Sequence, residues 1–442
     1  MRVVLSKRQV TSPISRAARQ VQLILRALPL DAGCLVREGQ EAGRIRRFIN
    51  QRRWRRVPAW SVPLLMPLAR LFWLLWCPIA TTRLARRHCI AVFGPAWRRS
   101  VVNGWLYGRL PHMELTPAPF ADAAVMRVGQ LDDHHWALLW SELGSRSDHL
   151  LARDKLALSA RIAALGARVP ALLCEISSGA PVDVVGLPWV QASTLFIKPR
   201  NGSGAKGASS VERLTHPLYR VNGDEVVHCD ALSERLTRVA MDDALLVQVF
   251  QRPAADSLDL SSETPIELRL TTARLPGGAP FVLACLMKVQ PPGSHSSTTL
   301  TGALAVPVNP LTGLMHSGIF FHQPGQLYEA VPWNGAVIQG RTVPEYQQAA
   351  DMVITASQAL PDVPVIGWDV LITETGPVIL EANTSLSWWL IHLWHALTGT
   401  PSPLLQIVIE WIQVREAECG TQQARRFPGG SSSGNAGHTS IP

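Results

Sequence analysis

Apolar residues recur along the chain with two different periods. Short runs rich in β-branched and aromatic residues predict strands: TLFIKP at 194–199, LLVQVF at 245–250, IELRLTT at 266–272, FVLACLMKV at 281–289, WDVLIT at 368–373 and PVILEAN at 377–383. A further strand begins at 170–173. Two turn signals join neighbouring runs into hairpins, Pro276-Gly277-Gly278 before FVLACLMKV and Glu374-Thr375-Gly376 between WDVLIT and PVILEAN. Helical spacing governs 148–165, which carries Lys155 near its start, and 344–360, where Met352, Val353 and Ala356 fall on one face. A helix is also expected over 387–397, with three tryptophans and two histidines. Between them, 101–144 reads as a proline-punctuated connector.

The strand at 194–199 delivers Lys198 and Pro199 into a loop in which Gly202, Gly204 and Gly207 let backbone N–H groups crowd round an anion. Three nucleotide motifs compete for it. A dinucleotide fold needs its glycines at a turn into a helix, and here Lys-Pro intervenes with no amphipathic helix following. A P-loop ends in Gly-Lys-Ser/Thr, whereas this loop has Ala205-Lys206-Gly207. A protein-kinase loop requires His-Arg-Asp and Asp-Phe-Gly downstream, and neither occurs. A plain flexible turn is the remaining alternative. Lys198 and Lys206 favour a phosphate cradle, since lysines have no packing reason to flank bare backbone.

A second stretch, 365–386, carries a different chemistry. Antiparallel pairing of its two strands brings Asp369 close to Glu381 and Asn383, which lie two apart and so share a face. Asp, Glu and Asn offer hard oxygens of the sort that hold magnesium together with substrate phosphates. The alternative is a solvated hairpin with ordinary polar residues. Against it stands Glu381 at the end of an apolar run, a costly place for an unpaired charge.

Glycine loop, lysines and hairpin together resemble the ATP-grasp superfamily, and within it the sugar-transfer associated branch, over residues 154–390. The resemblance implies an α+β fold in which two α/β subdomains grip ATP. It implies that Lys155 and Lys198 contact the nucleotide phosphates and that Asn201, Gly202, Ser203, Gly204, Lys206 and Gly207 form the lid loop over them. Gln248, Val249 and Phe250 would make the hinge that holds adenine, Arg269 would stabilise the transferred phosphoryl group with Lys198, and Asp369, Glu381 and Asn383 would bind Mg2+, two ions in all. The implied reaction is ADP-forming ligation of a carboxylate and an amine through an acyl phosphate, with sugar-linked small molecules as partners in polysaccharide assembly. Two other readings share these residues: an ATP-dependent kinase acting on a hydroxyl, and a membrane-bound scaffold whose ATP site has decayed, with Ala205 and Asn309 as first signs.

Charge divides the chain again. Residues 1–110 contain 21 Lys and Arg against 3 Asp and Glu, while the rest of the chain contains 21 against 30. This asymmetry predicts a basic, apolar, mainly helical extension over 1–110, a catalytic domain over 111–420, and a Gly/Ser/Pro-rich disordered tail over 421–442. The stretch at 60–80 contains three prolines and Arg70, so it is not expected to span a bilayer. It is expected either to lie on an anionic membrane surface, with Trp60, Trp73 and Trp76 at headgroup depth, or to pack as core. Although RRWRR at 52–56 suits an arm for nucleic acid, no nucleic-acid partner is expected, because the apolar stretch that follows changes its meaning. Seven scattered cysteines without a CxxC pair, and an N-terminus without an apolar signal core, predict a cytoplasmic protein, peripheral at the inner face of the membrane.

Overall fold

Two antiparallel sheets grow from the strand runs. The computed structural model describes residues 44–45, 48–49, 62–87, 91–107, 133–201, 207–261, 265–292, 302–320, 323–386 and 388–426. Helices α1 (Val62–Arg87) and α2 (Pro95–Tyr107) come first and pack against each other. Thr82 accepts a hydrogen bond from Trp97 Nε1 at 3.1 Å, and Trp105 Nε1 donates to the Leu74 carbonyl at 3.2 Å. The prolines at 67 and 78 lie within α1 rather than ending it. No helix among the described residues is long and apolar enough to cross a membrane.

The stretch expected to be a connector holds α3 (Asp133–Leu143), which buries Trp136, Leu139, Trp140 and Leu143. The single helix expected over 148–165 is two, α4 (Arg146–Arg153) and α5 (Lys155–Ala163). Asp154 separates them because its backbone is extended and its carboxylate caps α5, accepting from the N–H groups of Leu156 and Ala157 at 3.1 Å.

Six strands form the first sheet: β1 (Leu172–Ile176), β2 (Thr194–Pro199), β3 (Ser209–Arg213), β4 (Leu218–Val221), β5 (Glu225–His228) and β6 (Leu245–Val249), in the order β1-β6-β2-β3-β4-β5. Helix α6 (Cys229–Ala240) covers one face, and Leu232 and Leu236 pack there with Leu195, Ile197, Val211 and Val247. The alternation along β2 leaves Phe196 and Lys198 on the other face, and pairing sets Gln248 opposite Phe196.

After the short helix α7 (Leu258–Ser261), seven strands form the second sheet: β7 (Glu267–Ala273), β8 (Phe281–Val289), β9 (Leu304–Val308), β10 (Gly318–Phe320), β11 (Gln323–Tyr328), β12 (Val365–Thr373) and β13 (Gly376–Asn383), in the order β11-β10-β9-β8-β7-β12-β13. Helices α5 and α8 (Tyr346–Ala356) contribute to the core on one face of this sheet, where Leu268, Leu270, Trp368, Val370 and Ile379 are buried with Leu158, Ile162 and Val353. Both expected hairpins form, β7–β8 and β12–β13.

Helices α9 (Trp388–Thr398) and α10 (Leu404–Arg426) close the described chain. The tail expected from 421 therefore begins inside a helix, and 427–442 lie outside the described residues. Ile407, Val408, Trp411 and Ile412 of α10 share a core with α3, and Ile45, Phe48 and Ile49 join it. Part of the basic extension is thus built into the body of the protein.

Candidate nucleotide and metal site

Alternation on the second sheet sends every odd residue of β7 from Glu267 to Thr271 away from that core and toward the opposite face, where Glu267, Thr271 and the facing Asp369 are buried. Strand pairing then lines Arg269, Asp369 and Glu381 up across three adjacent strands. Arg269 grips Asp369 with both ends of its guanidinium, Nε to Oδ1 and Nη2 to Oδ2, the second at 2.9 Å. Asn383, two residues from Glu381, donates from Nδ2 to Asp369 Oδ2 at 3.2 Å and to Glu381 Oε1 at 3.5 Å. The triad read from the sequence is therefore one cluster.

Burial and proximity push the two carboxylates apart. Burial drives Glu381 upward and the Asp369 charge adds to it. Burial acts on Asp369 in the same sense, but Arg269 and Lys288 outweigh it and hold that carboxyl low. Two acidic groups in contact on one face, with an amide oxygen two residues along, form the donor set of a divalent cation site made of hard oxygens.

The two lysines reach this cluster from outside the sheet. Lys155 Nζ lies 3.6 Å from Glu381 Oε2. Its place is fixed by the start of α5: Asp154 pairs with Arg200 through two oxygens, Arg200 also meets Glu175 at 3.0 Å, and the Lys155 N–H donates to the Arg200 carbonyl at 3.3 Å. Lys198 Nζ donates to the Leu380 carbonyl at 3.5 Å. The register of β12 and β13 shifts between Asp369 and Val370, so Leu380 is the extra residue of a bulge. Burial lowers the Lys198 ammonium to about 8, with Glu381 opposing the shift and Lys155 adding to it.

Lys288 is buried and paired with Glu267, and its Nζ lies 4.0 Å from Asp369 Oδ1. Burial pushes the Glu267 carboxyl upward against the opposing pull of Lys288. Glu267 was not among the expected site residues; its signal is the alternation of Glu267 and Arg269 within an otherwise apolar strand. Gly367 belongs here too, because a Cβ there would stand 2.5 Å from Leu386 Cδ2 and 3.2 Å from Arg269 Cδ.

On the first sheet, Gln248 is 3% exposed, faces the same side as Lys198, and its Oε1 finds no hydrogen-bond partner among the described residues. A buried, unpartnered acceptor on this face suits the exocyclic amine of adenine. Val249 and Phe250 follow it, half-buried. Beyond them a cleft of about 560 Å³ runs between Thr194, Ser210 and Glu212 on one side and Phe250, Arg252 and Glu374 on the other.

The glycine loop joins β2 to β3 as an antiparallel hairpin, which rules out the strand-to-helix geometry of a dinucleotide site. Asn201 binds Asp243 through its backbone N–H at 2.6 Å and its side chain at 3.0 Å. Gly207 has φ +76°, and a Cβ there would meet Val239 Cγ1 at 2.9 Å. Gly202, Ser203, Gly204 and Lys206, with Ala205, lie outside the described residues. Asn309 is a turn residue: its Oδ1 accepts from the N–H groups of Leu311 and Thr312.

The chain belongs to the sugar-transfer associated ATP-grasp family, whose model matches residues 137–398, more than half of its length. That places it in a superfamily of ATP-dependent carboxylate-amine ligases whose members use ATP and Mg2+. No curated protein sequence matches the chain. Among solved structures it is similar to an L-amino acid ligase from Bacillus licheniformis, at 14% identity and TM-score 0.35 over 60% of this chain and 48% of that one. It is also similar to the β-γ-ATP complex of a biotin carboxylase from Campylobacter jejuni, at 13% identity and TM-score 0.39 over 62% and 48%. A third is D-alanyl-alanine synthetase A from Vibrio cholerae, at 11% identity and TM-score 0.40 over 62% and 68%. The chain thus spans about half the length of the first two.

Proposed function

We propose that the protein is an ATP- and Mg2+-dependent ligase that joins a carboxylate to an amine in the assembly of a sugar-bearing conjugate. The observation that carries this reading is the single cluster in which Lys155, Lys198 and Arg269 meet Asp369, Glu381 and Asn383. Asp369, Glu381 and Asn383 hold the metal, which when bound neutralises phosphate charge. Lys155 and Lys198 bind the phosphates, and Gln248 orients the base. Arg269, already aimed by Asp369, stabilises charge on the phosphoryl group as it leaves ADP. The substrate carboxylate attacks the γ-phosphorus and displaces ADP, giving an acyl phosphate. The amine then attacks the acyl carbon, phosphate leaves, and the amine proton is lost. The sugar-bearing substrate class rests on the family's association with sugar transfer.

The test is a screen of amino acids and uronic-acid sugars, in pairs of carboxylate and amine, for ATP consumption with Mg2+. Product chromatography is expected to show ADP and phosphate, with one amine consumed per ADP. AMP and pyrophosphate as products would overturn the acyl-phosphate route. ADP formed with a phosphorylated hydroxyl and no amine consumed would make it a kinase.

A further inference from the structure

We propose that the α1–α2 hairpin is a docking surface for an anionic lipid bilayer. Leu71, Leu74, Leu75 and Ile79 share one face of α1, and Leu71, Leu75 and Ile79 are 55%, 62% and 52% exposed. The adjacent stripe of α1 is the one that packs inward: Cys77, Thr81 and Ala85 are buried, with Ser100 and Val101 of α2 buried beside them. On α2, Val102 and Trp105 are exposed, and the Trp105 bond to the Leu74 carbonyl joins their patch to that of α1. Apolar side chains are thus gathered on one side of the pair although the same helices bury others. An exposed apolar face of this kind marks an interaction surface.

Charge identifies the occupant. Arg83 and Arg86 follow the apolar stripe along α1, and Arg98 and Arg99 stand on α2; all four are exposed. From Glu41 to Glu114 the chain contains no intervening Asp or Glu, while 14 Lys and Arg fall between them. A protein partner would need an acidic rim matched residue by residue. A lipid surface supplies apolar depth and diffuse negative charge, which is what a face of leucine, isoleucine and tryptophan edged by exposed arginines fits. The aromatic Trp105 suits headgroup depth, with its ring apolar and its N–H already satisfied. Neither helix crosses the bilayer in this reading; both lie along it.

The test is flotation of the full chain with vesicles of phosphatidylcholine alone and of phosphatidylcholine mixed equally with phosphatidylglycerol. Strong preference for the anionic vesicles is expected, weakened but not abolished by high salt. The double substitution Arg83→Gln with Arg86→Gln should lower anionic partition about fivefold per arginine, so roughly twenty- to thirtyfold together. Leu71→Ser, Leu75→Ser and Ile79→Ser combined should lower partition to both vesicle types and leave the melting transition in place, because these side chains are exposed. Equal binding to neutral and anionic vesicles, or none to either, overturns the proposal. So does loss of the melting transition in the triple-serine variant, which would make the face a covered core. Binding to labelled single-stranded RNA at low salt without vesicle binding would assign the arginines to nucleic acid instead.

Discussion

Lys198 is held charged in a place that resists charge. Burial lowers its ammonium to about 8, so in the unliganded protein it is largely neutral at pH 9. Below its folded value the buried charge works against folding. As pH rises from about 8 toward the ordinary lysine value the unfolded chain binds the extra proton, so this residue's contribution to stability improves with pH over that window. In the proposed complex, phosphate oxygens beside Nζ would reverse the shift. Nucleotide binding should therefore take up protons above about pH 8 and weaken as pH rises, which calorimetry in buffers of different ionisation enthalpy will register; Lys198→Met should abolish the uptake. Glu381 poses the opposite problem, a carboxylate raised by burial and by Asp369, which the proposed cation would relieve. Glu381→Ala should lower turnover by at least about tenfold, a loss of about 1.4 kcal/mol or more of transition-state stabilisation, while the circular dichroism spectrum stays that of the native protein.

At the scale of elements, the site depends on where α5 begins. Asp154 caps that helix and pairs with Arg200, and Lys155 is the next residue. Asp154→Ala should cost about 1 kcal/mol for the lost cap, lowering the melting temperature by a few degrees. It should also raise KM for ATP more than it lowers kcat, because in the proposed function the displaced lysine binds phosphate. Asp154→Asn, which still caps, should recover most of the melting temperature. This start was not legible in the sequence, where Asp148 through Leu165 keeps helical spacing across the break and nothing marks Asp154 as a cap rather than a surface acid. The β12–β13 pairing was legible, since Glu374-Thr375-Gly376 fixes the turn and two-residue alternation fixes which side chains share a face. The Leu380 bulge was not: counted strictly from the turn, Asp369 would face Leu380, and the extra residue is what sets it opposite Glu381. Lys288 escaped for a related reason: it looks like an isolated charge in its own strand, and only the pairing of β7 with β8 sets it opposite Glu267.

At the scale of the whole molecule, the charge asymmetry of the sequence suggested a cut near residue 110, yet the packing crosses it. Ile45, Phe48 and Ile49 are buried among Trp136, Leu139, Ile407 and Trp411, and Arg44 meets Glu416 of α10 at 3.0 Å. Composition reports which residues an ionic surface attracts; it carries no record of which apolar side chains among them reach a distant helix. The same core supports the site from behind, since Trp140 Nε1 donates to the Leu386 carbonyl at 3.1 Å and Leu386 fills the space beside Gly367, next to Arg269. Phe48, 2% exposed, has no room to be replaced by a smaller residue without a cavity. Phe48→Ala should cost about 3–5 kcal/mol, measured by denaturant unfolding followed with the tryptophan signal. Removal of residues 1–57 should carry the same loss or more. If Phe48→Ala and this truncation both unfold at the wild-type midpoint, these apolar residues contribute nothing to the body of the protein, and the basic extension is a separate unit after all.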